Sequence, residues 1–199
     1  MLKGKTVVLG VTGCIAAYKA CEIVSSLKKK GATVIVIMTP HSTEFVQPLS
    51  FETLSGNRVI TDLFDRDFDF EVEHVALAKR ADVFVVAPAT ANTIGKIANG
   101  IADDMLTTTI MACKAPKIIC PAMNTNMYEN ENTTENIARL KKQGYKIIEP
   151  ISGRLACGDV GKGKMAEPET IVKAIEDILT PNQDLSLIHI SEPTRLRRI

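Results

Sequence analysis

The sequence predicts a single α/β domain of three layers, a doubly wound parallel sheet with helices on both faces. Three observations predict it. Residues 82–93, DVFVVAPATANT, hold an unbroken run of branched and aromatic apolar residues that ends in a small polar loop opened by Pro88, the pattern of a strand buried on both faces. The chain opens on a short β-rich run, a glycine turn and a helical periodicity. Short apolar runs then alternate with helical segments as far as Ile148, the rhythm of successive βα units. In open sheets of this kind ligands lie beyond the carboxyl ends of the strands, so the polar turns there are candidate sites.

The bulk properties agree with one soluble globule. A chain of 199 residues, 45% apolar and 24% charged, suits one sizeable core; residues 1–180 are assigned to the domain and 181–199 to a tail or linker outside it. A formal net charge of +1 offers neither a basic stripe for nucleic acid nor an acidic field. No stretch reaches the length of a membrane span, and Val7 to Val11 is too short for a signal peptide, so a cytoplasmic location without membrane contact is expected. Cys14, Cys21, Cys113, Cys120 and Cys157 lack CxxC spacing, which indicates neither a disulfide framework nor a metal site.

Taken in order, Lys5–Leu9 reads as a strand, residues 10–13 as a turn and Ile15–Lys30 as a helix with the three lysines 28–30 at its carboxyl end. GVTG lacks a full dinucleotide or P-loop fingerprint and fits a plain tight turn or a phosphate contact equally. Thr33–Met38 is the second strand, and Thr39 at its end suits a ligand phosphate or a helix cap. Pro48–Ser55 and Val59–Phe64 read as irregular with room for a short helix, and the acidic run 62–73 as solvated loop, since its spacing matches no calcium loop. His74 opens a short amphipathic helix before the central strand, as polar surface or as an acid–base group. After the 88–93 loop, Ile94–Asn99 and Met105–Cys113 are helices. Lys117–Cys120 is a strand that sets Asn124 and Asn126 at the sheet's carboxyl edge, with Met123 and Met127 as packing. Asn132–Gln143 is a helix and Tyr145–Ile148 the last strand. Residues 150–168, PISGRLACGDVGKGKMAEP, break the rhythm and read as a mobile flap, and Glu169–Leu179 closes the domain as a helix.

His74, PATANT at 88–93, PAMNTNM at 121–127 and GRLACGDVGKGKM at 153–165 together resemble the flavin-containing cysteine decarboxylases, over residues 3–180. The resemblance implies a flavodoxin-like, Rossmann-like fold. It also implies FMN held by Gly13, Cys14, Ile15, Thr39, Pro88, Ala89, Thr90, Ala91, Asn92 and Thr93. In it His74 is the active-site base, Asn124 holds the substrate carboxylate and Cys157 donates a proton. Thr90 stands where the family usually has serine and keeps the hydroxyl; Arg80 stands where relatives tend to have tryptophan. The family assembles as trimers, often further into dodecamers, with the flavin between subunits, which opens the option that His74 serves a neighbour.

The activity implied is decarboxylation of 4′-phosphopantothenoylcysteine to 4′-phosphopantetheine. Loss of carbon dioxide leaves electrons on the former α carbon. Prior oxidation of the thiol to a thioaldehyde lets the C=S group take them up as an enethiolate, and re-reduction closes a redox-neutral cycle. Cys157 sets this branch apart from peptidyl-cysteine decarboxylases of the lantibiotic type, which need not reduce their enethiol. Flavin prenyltransferases would need neither His74 nor the flap, and intact His74, Asn124 and Cys157 weigh against a non-catalytic flavin-binding regulatory subunit.

Overall fold

The computed structural model describes residues 1–63, 73–154, 158 and 160–180. Five strands, β1 (Thr6–Val11), β2 (Thr33–Met38), β3 (Val83–Ala89), β4 (Lys117–Pro121) and β5 (Lys146–Ile147), form one sheet in the order β2-β1-β3-β4-β5. Every pairing in it is parallel. This is the flavodoxin-type order, with its topological switch between β1 and β3.

The strand residues divide by parity between two cores. Val7, Leu9 and Val11, with Val83, Val85 and Ala87, face one core; Val8, with Phe84 and Val86, faces the other. Successive side chains point to opposite faces, so strands covered on both sides need apolar residues at every position, and the runs read from the sequence are continuous for that reason. Helices α1 (Ala17–Lys29), α2 (Pro48–Ser55) and α8 (Pro168–Leu179) supply the first core. Helices α3 (Glu73–Arg80), α4 (Ala91–Asn99), α5 (Met105–Ala112) and α7 (Glu131–Lys142) supply the second. Among the described residues no helix is long and apolar enough to cross a membrane.

Three expectations are corrected. Pro88 does not open a loop: β3 runs through it to Ala89 and α4 starts at Ala91, so residues 88–93 are strand end, cap and first helical turn. Proline is tolerated there because the β1–β3 ladder has already ended at the Gly10–Val86 pair and the β4 register shifts between Val86 and Ala89, where its missing N–H is not needed. A short helix, α6 (Thr125–Glu129), occupies what read as a polar turn, capped by Asn124. Residues 150–168, read as a flap that breaks the βα rhythm, contain a two-stranded antiparallel ribbon, β6 (Ile151–Arg154) and β7 (Val160–Lys164). Its glycine and lysine content conceals the strands, because the ribbon is held by backbone contacts. Of the acidic run 62–73, residues 64–72 lie outside the described residues.

Candidate functional site

The carboxyl ends of β1 and β3 are tied together across the switch point. Thr12 is buried and its hydroxyl donates to the Pro88 carbonyl (2.8 Å) while accepting the Thr90 N–H (3.1 Å). Gly13 follows, and a Cβ at this position would lie 2.7 Å from His41 Cβ, too close for any real side chain. The turn after β1 can therefore approach the 3-10 turn Pro40–Ser42 after β2 only as glycine. Thr39, buried at the end of β2, does not cap that turn through its side chain, so of its two sequence readings the capping one fails. Thr90 does act as a cap: its hydroxyl accepts the Thr93 N–H (3.3 Å) and lies 3.1 Å from the Thr93 hydroxyl. By contrast α1 starts at Ala17 with no side-chain cap. The crevice between these two helix starts is where the topology places a ligand, and helix N-termini favour an anionic one.

Beside it lies a cavity of about 380 Å³. Cys14, Ile15 and Tyr18 line it from the α1 side, Met123 and Asn124 from the β4–α6 connection, Arg154 and Lys164 from the ribbon, and Met165 just after it. Ile15 and Tyr18 are more than half exposed, at 57% and 55%, apolar surface turned towards the cavity without covering. Burial pushes the Cys14 thiol up, more than its backbone hydrogen bond at Ala16 lowers it, so this cysteine remains a neutral thiol. The Asn124 Oδ1 accepts the Asn126 N–H at 2.8 Å as the α6 cap. Asn124 is half-buried in the cavity wall, and a side-chain amide carries N–H donors of the kind a carboxylate takes.

The ribbon is clamped over this wall. The Met123 N–H donates to the Gly163 carbonyl at 3.0 Å. A Cβ at Gly163 would fall on the Met123 carbonyl oxygen, and one at Gly161 on the Thr125 hydroxyl. Lys162 reaches Glu149 (3.1 Å) and sits 5.3 Å over the Tyr128 ring; Glu149 also takes Lys141 (2.7 Å) and the Tyr128 hydroxyl. Partial burial would raise the Glu149 carboxyl, but the hydrogen bonds from Lys141, Tyr128 and Lys162 outweigh it and hold it at about 2. Tyr128 is raised, by burial first and by its carboxylate partner second.

The structure thus gathers Cys14, Ile15 and Asn124 around one cavity and sets Gly13, Thr39 and residues 88–93 along the adjoining strand ends. It does not bring His74 there. That residue is the second of α3, half-buried, on the helix that packs Leu77 and Ala78 against the other core. Asn126 is exposed, Arg80 is exposed at the end of α3, and Cys157 lies outside the described residues. Sequence reasoning missed Thr12, Lys19, Arg154 and Lys164. Lys19 had left a trace: it sits four residues before Ile23, on the buried stripe of α1, where a charge calls for a partner.

Residues 1–180 match the Flavoprotein family. The chain is 48% identical over 200 residues to the coenzyme A biosynthesis bifunctional protein CoaBC of Bacillus subtilis, covering 98% of this chain and 49% of that protein. It is 47% identical over 177 residues to the probable phosphopantothenoylcysteine decarboxylase of Streptococcus mutans, covering 88% of this chain and 99% of that one. The chain therefore spans about half the length of the bifunctional relatives it matches. Among solved structures, a cysteine-to-serine mutant of PPC decarboxylase complexed with pantothenoylaminoethenethiol superposes with a TM-score of 0.76 at 35% identity, over 86% of this chain and 96% of that one. The FMN-dependent cysteine decarboxylase SpaF superposes with a TM-score of 0.77 at 30% identity, over 89% and 99%.

Proposed function

Because the chain belongs to the Flavoprotein family, we propose that it is an FMN-dependent decarboxylase that converts 4′-phosphopantothenoylcysteine to 4′-phosphopantetheine in coenzyme A biosynthesis. The observation that carries this reading is that Asn124 lines one cavity with Cys14 and Ile15 at the carboxyl edge of the sheet. The names of the relatives support it. The residues present fit a flavin mononucleotide: a glycine turn and an uncapped helix start beside the hydroxyls of Thr39, Thr90 and Thr93 suit a phosphate, and uncovered Ile15 suits an apolar ring. Gly13, Cys14, Ile15, Thr39 and residues 88–93 would hold it. When bound, FMN supplies the two-electron chemistry that makes loss of carbon dioxide accessible and is restored at the end of the cycle.

The chain's own groups bind, orient and move protons. Asn124 donates its amide N–H groups to the substrate carboxylate and so fixes the bond that breaks. His74 takes the proton released on oxidation of the thiol. Since it lies away from the cavity of its own chain, we assign it to the site of a neighbouring copy in a homo-oligomer of the trimer type. Cys157 protonates the enethiolate as the product is reduced. Residues 1–180 form the catalytic domain, 181–199 lie outside it, and the enzyme works in the cytoplasm.

Incubation of the purified, FMN-loaded protein with phosphopantothenoylcysteine tests the proposal. Carbon dioxide and phosphopantetheine should appear together in equal amounts by mass spectrometry. A flavin-loaded protein that releases neither would overturn it.

A further inference from the structure

The reading above leaves one end of the substrate without a partner, its phosphate. The cavity that holds Asn124 is also rimmed by three cations, Lys19, Arg154 and Lys164. The Lys19 side chain is only 11% exposed, and its ammonium meets Glu167 at 2.7 Å. Lys164 meets the same carboxylate at 3.2 Å. One carboxylate thus serves two ammonium groups, which leaves the rim positive, and Arg154 adds a guanidinium with no ion pair among the described residues. Arg154 is exposed and the Lys164 side chain is 41% exposed, so both stand where an anion arriving from solvent can reach them, and the surplus of positive charge attracts one.

Resting on the decarboxylase reading, we propose that Lys19, Arg154 and Lys164 form the subsite for the substrate's phosphate monoester, while Asn124, which lines the same cavity, takes the cysteine end. A phosphate monoester carries close to two negative charges at neutral pH, which matches the surplus on the rim, and a planar guanidinium binds it in two-point fashion. The apolar wall of Tyr18, Met123 and Met165 covers the chain between the two ends. This subsite selects the phosphorylated substrate over a peptide ending in cysteine, which has an equivalent thiol and carboxylate but no phosphate. FMN is the other phosphate monoester the protein would meet. The switch-point turns on the far side of Cys14 are the place for it, so the rim is assigned to the substrate.

The test compares kcat/KM for phosphopantothenoylcysteine and pantothenoylcysteine in the FMN-loaded wild type and in Arg154→Ala, Arg154→Lys and Lys164→Gln. Calorimetric binding of phosphopantetheine and pantetheine is measured alongside, since it needs no turnover. Each neutralised charge should lower the preference for the phosphorylated compound about ten- to hundred-fold, the range of a charge-assisted hydrogen bond. Arg154→Lys should keep part of it, rising salt should erode it in the wild type, and flavin content should not change. An unchanged preference overturns the inference. So does loss of FMN from the variants, which would give the rim to the flavin. If the wild type decarboxylates neither compound, the decarboxylase reading falls, and the binding preference still decides whether the rim takes a phosphate.

Discussion

Replacing Gly163 by alanine should unseat the ribbon that closes the cavity. The new Cβ would coincide with the Met123 carbonyl oxygen, and backbone on both sides leaves no flexible side chain to give way. The ribbon must move out, and the 3.0 Å bond from the Met123 N–H to the Gly163 carbonyl is then stretched or lost. A net hydrogen bond lost together with a buried donor left unsatisfied costs about 2–3 kcal/mol. In a domain of this size that lowers the melting temperature by roughly 5–10 °C. Gly153→Ala is the matched control: on the same ribbon its Cβ would meet only Lys164 Cδ, at 3.8 Å, an ordinary contact, so its effect should stay within about 0.5 kcal/mol. Calorimetry reports the stability, and hydrogen exchange at the Met123 amide reports the contact. If Gly163→Ala melts with the wild type and keeps that amide protected, the ribbon is not seated by the close approach argued here.

Glu149→Gln should flatten the acid limb of stability. The carboxyl lies at about 2 in place of the usual 4.5, so its contribution is complete above about pH 4.5 and is lost as the pH falls towards 2; partial exposure limits it to about 1–2 kcal/mol. A variant whose stability falls with acid as steeply as the wild type's would show that the cluster contributes nothing. His74→Asn should retain fold and flavin but slow turnover by about 10²- to 10⁴-fold. Mixed oligomers with the Asn124→Ala variant should regain activity, and failure to regain it would return His74 to its own chain's site. Cys157→Ser should release carbon dioxide yet stall before reduction, because a hydroxyl is a far weaker acid than a thiol of pKa about 8.5. Phosphopantetheine formed at the normal rate would remove Cys157 from the reductive step.

The sheet was legible in the sequence for a physical reason. Strands such as Thr33–Met38 and the first part of β3 are sandwiched between helix layers, so both parities must be apolar, and no polar residue interrupts the run. Only their ends were misjudged. Pro88 reads as a breaker because it lacks a donor, and only the pairing geometry reveals that no donor is called for there. The ribbon was illegible on the same logic in reverse. VGKGK has no apolar face to signal a strand, but its glycines alternate with period two, and both lie where the ribbon backbone meets residues 123–125. Alternating glycine in a short run marks a strand pressed against another backbone.

The site was legible only as far as single loops allow. Gly13, Thr39, Thr90 and Asn124 each follow a strand, and the rule that ligands collect at the carboxyl edge places them without knowledge of the tertiary contacts. Charge was not legible, because its role depends on partners remote in sequence. Lys19 is neutralised by Glu167, 148 residues away, and Glu167 is shared with Lys164. A near-neutral chain therefore says nothing of a locally positive rim: the surplus exists only once the first turn of α1 and the last strand of the ribbon meet at one carboxylate. That dependence also explains why Gly163 matters beyond stability. If the ribbon lifts, Arg154 and Lys164 leave the cavity together while Lys19 and Glu167 remain paired, and the positive surplus at the rim is lost. Loosening the backbone at one glycine and deleting the charges at two other positions should therefore weaken the same discrimination between phosphorylated and unphosphorylated substrate.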